Sequence, residues 1–154
     1  DGEGGGRFAD AAALVRGVEG HWGEGRTHRF VVLTGGEPML QVDGALVDAL
    51  HRAGFRIAIE SNGTLPVHPG VDWICISPKA GSEVVQRRGD ELKLVWPQAG
   101  IELGAVEGWD FAHRLLQPLD DANADANRAA AMAVVMERPW WRLTLQTHKM
   151  LGIR

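Results

Sequence analysis

Thr34-Gly35-Gly36-Glu37-Pro38 is where residue type and spacing first point to chemistry. It follows Phe30 to Leu33, four apolar residues without alternation, as expected of a parallel strand covered on both faces. Gly35 and Gly36 let backbone approach a bound molecule, and Pro38 ends the strand and can open a helical turn. Glu37 adds a carboxylate able to accept from an ammonium or an amide. Alone, the segment reads as a plain strand-to-helix turn. Polar residues also gather beyond other apolar runs: Glu60 and Asn62, Ser77 and Lys79, Gln117 and Asp120, Gln146 and His148. At the C-terminal ends of parallel strands such residues share one rim, where α/β folds build their sites. Together they favour a pocket whose acids, amides, lysine and histidine suit a zwitterionic ligand.

The elements that must position this rim follow from periodicity. Ala9 to Trp22 is predicted helical with Asp10 as cap, and Asp43 to Ala53 is a second amphipathic helix with Leu46, Val47 and Leu50 inward and Gly54 just past its end. Strands are expected at 55–60, 73–77, 91–95, 114–117 and 142–146, several of them stopped by proline. An alanine-rich helix fills Asn123 to Glu137, with Met132, Val135 and Met136 available for packing. Strands alternating with helices or loops imply a mostly parallel sheet, either open and doubly wound or curled into a partial barrel.

At 154 residues the chain fits one domain with a real core. A net charge of −4 argues against a generic polyanion-binding surface, so direct nucleic-acid binding is not expected. No apolar run reaches membrane-spanning length, and a single cysteine excludes an internal disulfide framework, which suits a reducing cytoplasm. Asp1 stands where a native start would carry Met, and Asp1 to Gly6 reads as a flexible loop. The expectation is therefore a single core domain over 1–154, truncated on its N-terminal side.

Taken together, these motifs resemble a known family. Thr34-Gly35-Gly36-Glu37-Pro38 is similar to the Gly-Gly-Glu-Pro motif of radical S-adenosylmethionine enzymes. Glu60-Ser61-Asn62-Gly63, Ser77-Pro78-Lys79, Gln117-Pro118-Leu119-Asp120 and Gln146-Thr147-His148-Lys149 narrow the resemblance to the 7-carboxy-7-deazaguanine synthases. It implies an α/β fold, a partial TIM-type barrel of mostly parallel strands. It also implies that Gly35, Gly36, Glu37, Glu60, Ser77, Pro78, Lys79, Gln117, Pro118, Leu119 and Asp120 bind S-adenosylmethionine. Thr34, His148 and Arg154 would contact the substrate, 6-carboxy-5,6,7,8-tetrahydropterin. The reaction implied is a radical ring contraction. A reduced [4Fe-4S] cluster cleaves S-adenosylmethionine, the resulting radical takes a substrate hydrogen, and ammonia is expelled to give 7-carboxy-7-deazaguanine. That lyase chemistry feeds queuosine in tRNA, and the family uses Mg²⁺, an external electron donor and a homodimer.

One departure stands out. The family holds its cluster with three cysteines near the N-terminus, whereas this chain has only Cys75, between Ile74 and Ile76 in an expected strand. Cys75 reads as a core residue, since cluster ligands come as several thiolates on an accessible loop. The cluster loop, a first strand, a substrate arginine and the Mg²⁺ ligand are then expected upstream. Met39, Met132 and Met136 read as packing residues. Trp140-Trp141 reads as core or subunit interface, with stacking on a ring left open. His21, His28, His51, His68 and His113 show no metal spacing. Two other readings stay open: another radical enzyme, such as an activase for a glycyl-radical protein, and a non-catalytic module that binds S-adenosylmethionine.

Overall fold

The structure, a computed structural model, describes residues 6–153. Ala11–Trp22 forms α1, which begins where extended Asp10 accepts from the Ala13 amide at 2.7 Å. Phe30–Leu33 is β1, Gly44–Arg52 is α2, Arg56–Ser61 is β2 and Trp73–Ile76 is β3. Arg88–Trp96 forms β4, Leu103–Glu107 forms α3 and Asp110–Pro118 forms β5. Ala124–Glu137 is α4, Trp141–Leu143 is β6 and Thr147–Leu151 is α5. Asp43 caps α2 by accepting from the Leu46 amide, and Gly54 turns the chain out of the helix with φ 82°.

The strands lie side by side in the order β1 to β6, and all neighbours are parallel. Each crossover thus steps one strand in the same direction, and right-handed connections then keep every crossover on one face. This winding selects the partial barrel over the doubly wound sheet, in which crossovers reverse and cover both faces.

The outer face carries the core. Ile57 and Ile59 of β2 pack with Val15 of α1 and with Leu46, Val47 and Leu50 of α2. A second cluster joins Ile76, Leu92, Leu94 and Leu116 to Val106 of α3 and Trp141 of β6, with Val134 and Val135 of α4 packed against it. Val67 and Ile74 touch both clusters, so the outer layer is continuous.

The side chains between these point inward. Register aligns Glu60 with Cys75 and Cys75 with Glu91, and two residues further along β4 comes Lys93. Cys75 is buried as expected, and burial first of all pushes its thiol up to about 12, with nearby Glu60 and Glu91 adding to the effect and Lys93 opposing it.

Several expectations need correction. β1 is not covered on both faces: Val31 and Leu33 join the α1–α2 cluster, while Phe30 and Val32 are 43% and 44% exposed. Among the described residues it pairs only with β2, and one-way winding places helices against the outer face alone. Met132 and Met136 are exposed, because α4 packs through Ala131, Val134 and Val135, roughly a quarter turn round the helix. Met39 does pack, against the α1–α2 cluster. Trp141 is core and Trp140 is exposed. β4 and β5 start earlier than expected, β6 is shorter, and α3 was not foreseen. Charged Arg88 and Asp90 mask the start of β4. A Cβ on Gly89 would come within 2.9 Å of Ile74 Cγ2, so that strand pairing is close.

Candidate functional site

The residues after β1, β2 and β3 are laced into one rim. Gly35 adopts φ 121°, a conformation other residues resist, and so turns the chain directly off β1. Glu37 then caps a short 3-10 turn, Pro38–Leu40, by accepting from the Met39 amide at 3.0 Å. The same oxygen accepts from Ser61 Oγ at 2.8 Å, and Oε2 accepts from the Asn62 amide at 2.8 Å. Glu37 thus clasps the loop after β1 to the end of β2. Asn62 continues the brace, its Oδ1 accepting from the Thr64 amide and hydroxyl. Gly63 follows at φ 78°, where a Cβ would lie 2.8 Å from Ile76 Cγ2 and 2.9 Å from Val84 Cγ1. The Ser77 amide donates to the Ser61 carbonyl at 2.8 Å, which extends the lacing to β3.

Inside this rim lies an open cleft of about 270 Å³. Thr34, Gly35 and Gly36 form one wall, Glu60, Ser77 and Lys79 the middle, and Gln117 and Gln146 the far side. Lys79 Nζ donates to Ser77 Oγ at 3.2 Å. Lys93 Nζ lies 2.8 Å from Glu60 Oε1, so the floor holds an ion pair that reaches from β4 to β2. The cleft therefore offers a carboxylate, two ammonium groups, hydroxyls, side-chain amides and glycine backbone, a set matched to a ligand with charged and polar ends.

A smaller neighbouring pocket is lined by Pro118, Leu119, Asp120, Gln146 and Lys149, with Gln146 common to both. Lys149 Nζ donates to Asp120 Oδ2 at 2.6 Å, and this partner holds the Asp120 carboxyl below its ordinary value. The Leu119 carbonyl accepts from Asn127 Nδ2, which fixes this turn on α4.

The structure thus brings Thr34, Gly35, Gly36, Glu60, Ser77, Lys79 and Gln117 into one cleft and sets Pro118, Leu119 and Asp120 beside it. Glu37 stands behind the cleft wall as the clasp. Pro78 borders a separate groove next to Ile101 and Val106. His148 is exposed on α5 and lines neither cleft, and Arg154 lies outside the described residues. Lys93 and Val95 also line the cleft without having been foreseen. Their signal was the alternation of Glu91, Lys93 and Val95 with Leu92 and Leu94, which marks one apolar face and one face turned elsewhere.

No family model matches the chain. It is 52% identical over 153 residues to the 7-carboxy-7-deazaguanine synthase of Bordetella pertussis, covering 99% of this chain and 73% of that protein. It is 54% identical over 153 residues to the enzyme of that name from Burkholderia multivorans, with the same 99% and 73% coverage. Among solved structures, it matches the crystal structure of QueE from Escherichia coli with a TM-score of 0.70 and 29% identity, over 90% of this chain and 64% of that one.

Proposed function

The chain belongs to the family of 7-carboxy-7-deazaguanine synthases, and on that premise we propose that its full-length protein converts 6-carboxy-5,6,7,8-tetrahydropterin to 7-carboxy-7-deazaguanine with loss of ammonia. The observation that carries this reading is the single cleft in which strand ends far apart in sequence combine a carboxylate, lysines, amides and glycine backbone.

S-adenosylmethionine suits that donor set and, when bound, would supply the group that takes a substrate hydrogen. Its ammonium would meet the backbone carbonyls of the Gly35-Gly36-Glu37 segment, because the Glu37 carboxylate is already engaged by Met39, Ser61 and Asn62. Glu60 would accept from a ribose hydroxyl or amino group. Ser77, Pro78 and Lys79, with Gln117, Pro118, Leu119 and Asp120, would hold the remainder. Thr34, His148 and Arg154 would face the pterin. His148 reaches the cleft only if α5 shifts, since it lines neither pocket.

An iron–sulfur cluster does not fit the described residues. Cys75 is buried in β3 with its thiol pushed up to about 12, and no group of three His, Cys, Asp or Glu gathers among the described residues. The cluster and Mg²⁺ would accordingly be held by segments of the full-length protein outside 6–153. The same reading makes residues 1–154 one core domain of that protein, working in the cytoplasm as a homodimer with an external electron donor and supplying queuosine for tRNA modification. Among the described residues no helix is long and apolar enough to cross a membrane.

The test is anaerobic turnover of the reconstituted full-length protein with S-adenosylmethionine, Mg²⁺, reductant and 6-carboxytetrahydropterin, followed by mass spectrometry. The expected products are 7-carboxy-7-deazaguanine and 5′-deoxyadenosine. Deoxyadenosine alone would keep a radical enzyme and reject the substrate. Neither product, with S-adenosylmethionine bound, would leave a non-catalytic binding module.

A further inference from the structure

Lys93 enters the cleft from the middle of a strand rather than from its end. Its side chain is 17% exposed against 42% for Glu60, so the cation is the more deeply set member of the pair. The register shows why. Glu60, Cys75 and Glu91 form one inward row across β2, β3 and β4, and Lys93 stands one row nearer the rim. To place Nζ 2.8 Å from Glu60 Oε1, the lysine crosses β3 above the buried Cys75. Lys93 is thus anchored, and the carboxylate it meets projects into the cleft. Glu60 Oε2 has no protein donor among the described residues and is left for a ligand.

We infer that Lys93 is a positioning residue that fixes the Glu60 carboxylate so that its second oxygen meets a hydroxyl or ammonium group of bound S-adenosylmethionine; this rests on the cofactor reading above. A half-exposed glutamate on its own samples several rotamers, and ordering it on binding weakens affinity. The ion pair orders it beforehand. Lys93 acts through Glu60, so its contribution vanishes when Glu60 is removed. Neither a direct ligand contact nor a general packing role has that property.

The test is a double-mutant cycle on S-adenosylmethionine affinity, measured by anaerobic calorimetry on the reconstituted full-length protein. Lys93→Met and Glu60→Ala should each weaken binding on the order of tenfold, and the double variant by no more than either single one. Lys93→Arg, which keeps the charge, should stay within about threefold of the wild type. Additive losses in the double variant, or Lys93→Arg failing as badly as Lys93→Met, would overturn the inference while leaving the cofactor reading intact. A wild type that binds no S-adenosylmethionine would overturn the cofactor reading, and the inference with it.

Discussion

The two faces of the sheet are made by the same strands and behave as different materials. On the outer face Ile57, Ile59, Leu92, Leu94 and Leu116 are wholly buried beneath helices. On the inner face, one residue away along the same backbones, stand the exposed Val32 and, lining an open cleft, Glu60, Lys93 and Gln117. A period of two lets one strand serve stability with one set of residues and recognition with the other. A change on the outer face should therefore be read in folding, and one on the inner face in binding.

The sharpest way to break that division is Leu92→Ala. Truncating a fully buried leucine should cost about 2–5 kcal/mol in chemical denaturation, with S-adenosylmethionine affinity unchanged in the fraction that stays folded. Glu107→Gln should rank next. Its Oε1 accepts from Arg138 Nη1, Trp140 Nε1 and Trp141 Nε1, and ties α3 to β6 over the second core cluster. Burial alone would raise the Glu107 carboxyl, but these three donors outweigh it and hold the group below its ordinary value. Losing the charge should cost about 1–2 kcal/mol in the same measurement. Val32→Ala, on the open inner side of β1, should fall within about 0.5 kcal/mol of the wild type. A loss matching that of Leu92→Ala would show that the inner face is packed in solution, and the comparison would fail.

The smallest effect is a pH dependence at the far end of the strands. Asp72 Oδ2 accepts from the Ile57 amide at 2.8 Å and lies 3.0 Å from His51 Nε2. Burial would raise the Asp72 carboxyl, yet the Ile57 amide, His51 and Arg56 outweigh it and bring the group below its ordinary value. A carboxyl lowered on folding contributes stability above its unfolded pKa and loses it as pH falls through the folded one. Denaturation midpoints should therefore drop below about pH 4, and Asp72→Asn should flatten that slope. An unchanged slope would remove Asp72 from the acid response.

Much of this organisation was legible in the sequence, because it rests on local signals. Asp10 and Asp43 cap the helices that follow them, and glycines and prolines mark the strand ends where the cleft forms. What stayed hidden depends on partners far along the chain. The four apolar residues of β1 do not say that one side of the strand will stand open, and Met132 and Met136 fit a packing helix until the position of β5 fixes which side of α4 faces in. Lys93 carries no such local signal, because it sits inside a strand rather than at its end. Only the register with β3 shows that it reaches Glu60.

The strand order has a further consequence for how the molecule is made. Because every strand docks on the one that precedes it in the chain, the sheet can accrete as the polypeptide leaves the ribosome, each new strand finding its template already in place. The growing edge is then always the newest strand. The cleft is finished last, when the segment carrying Gln146 settles beside Gln117, so ligand binding waits for that segment even when every earlier strand is in place.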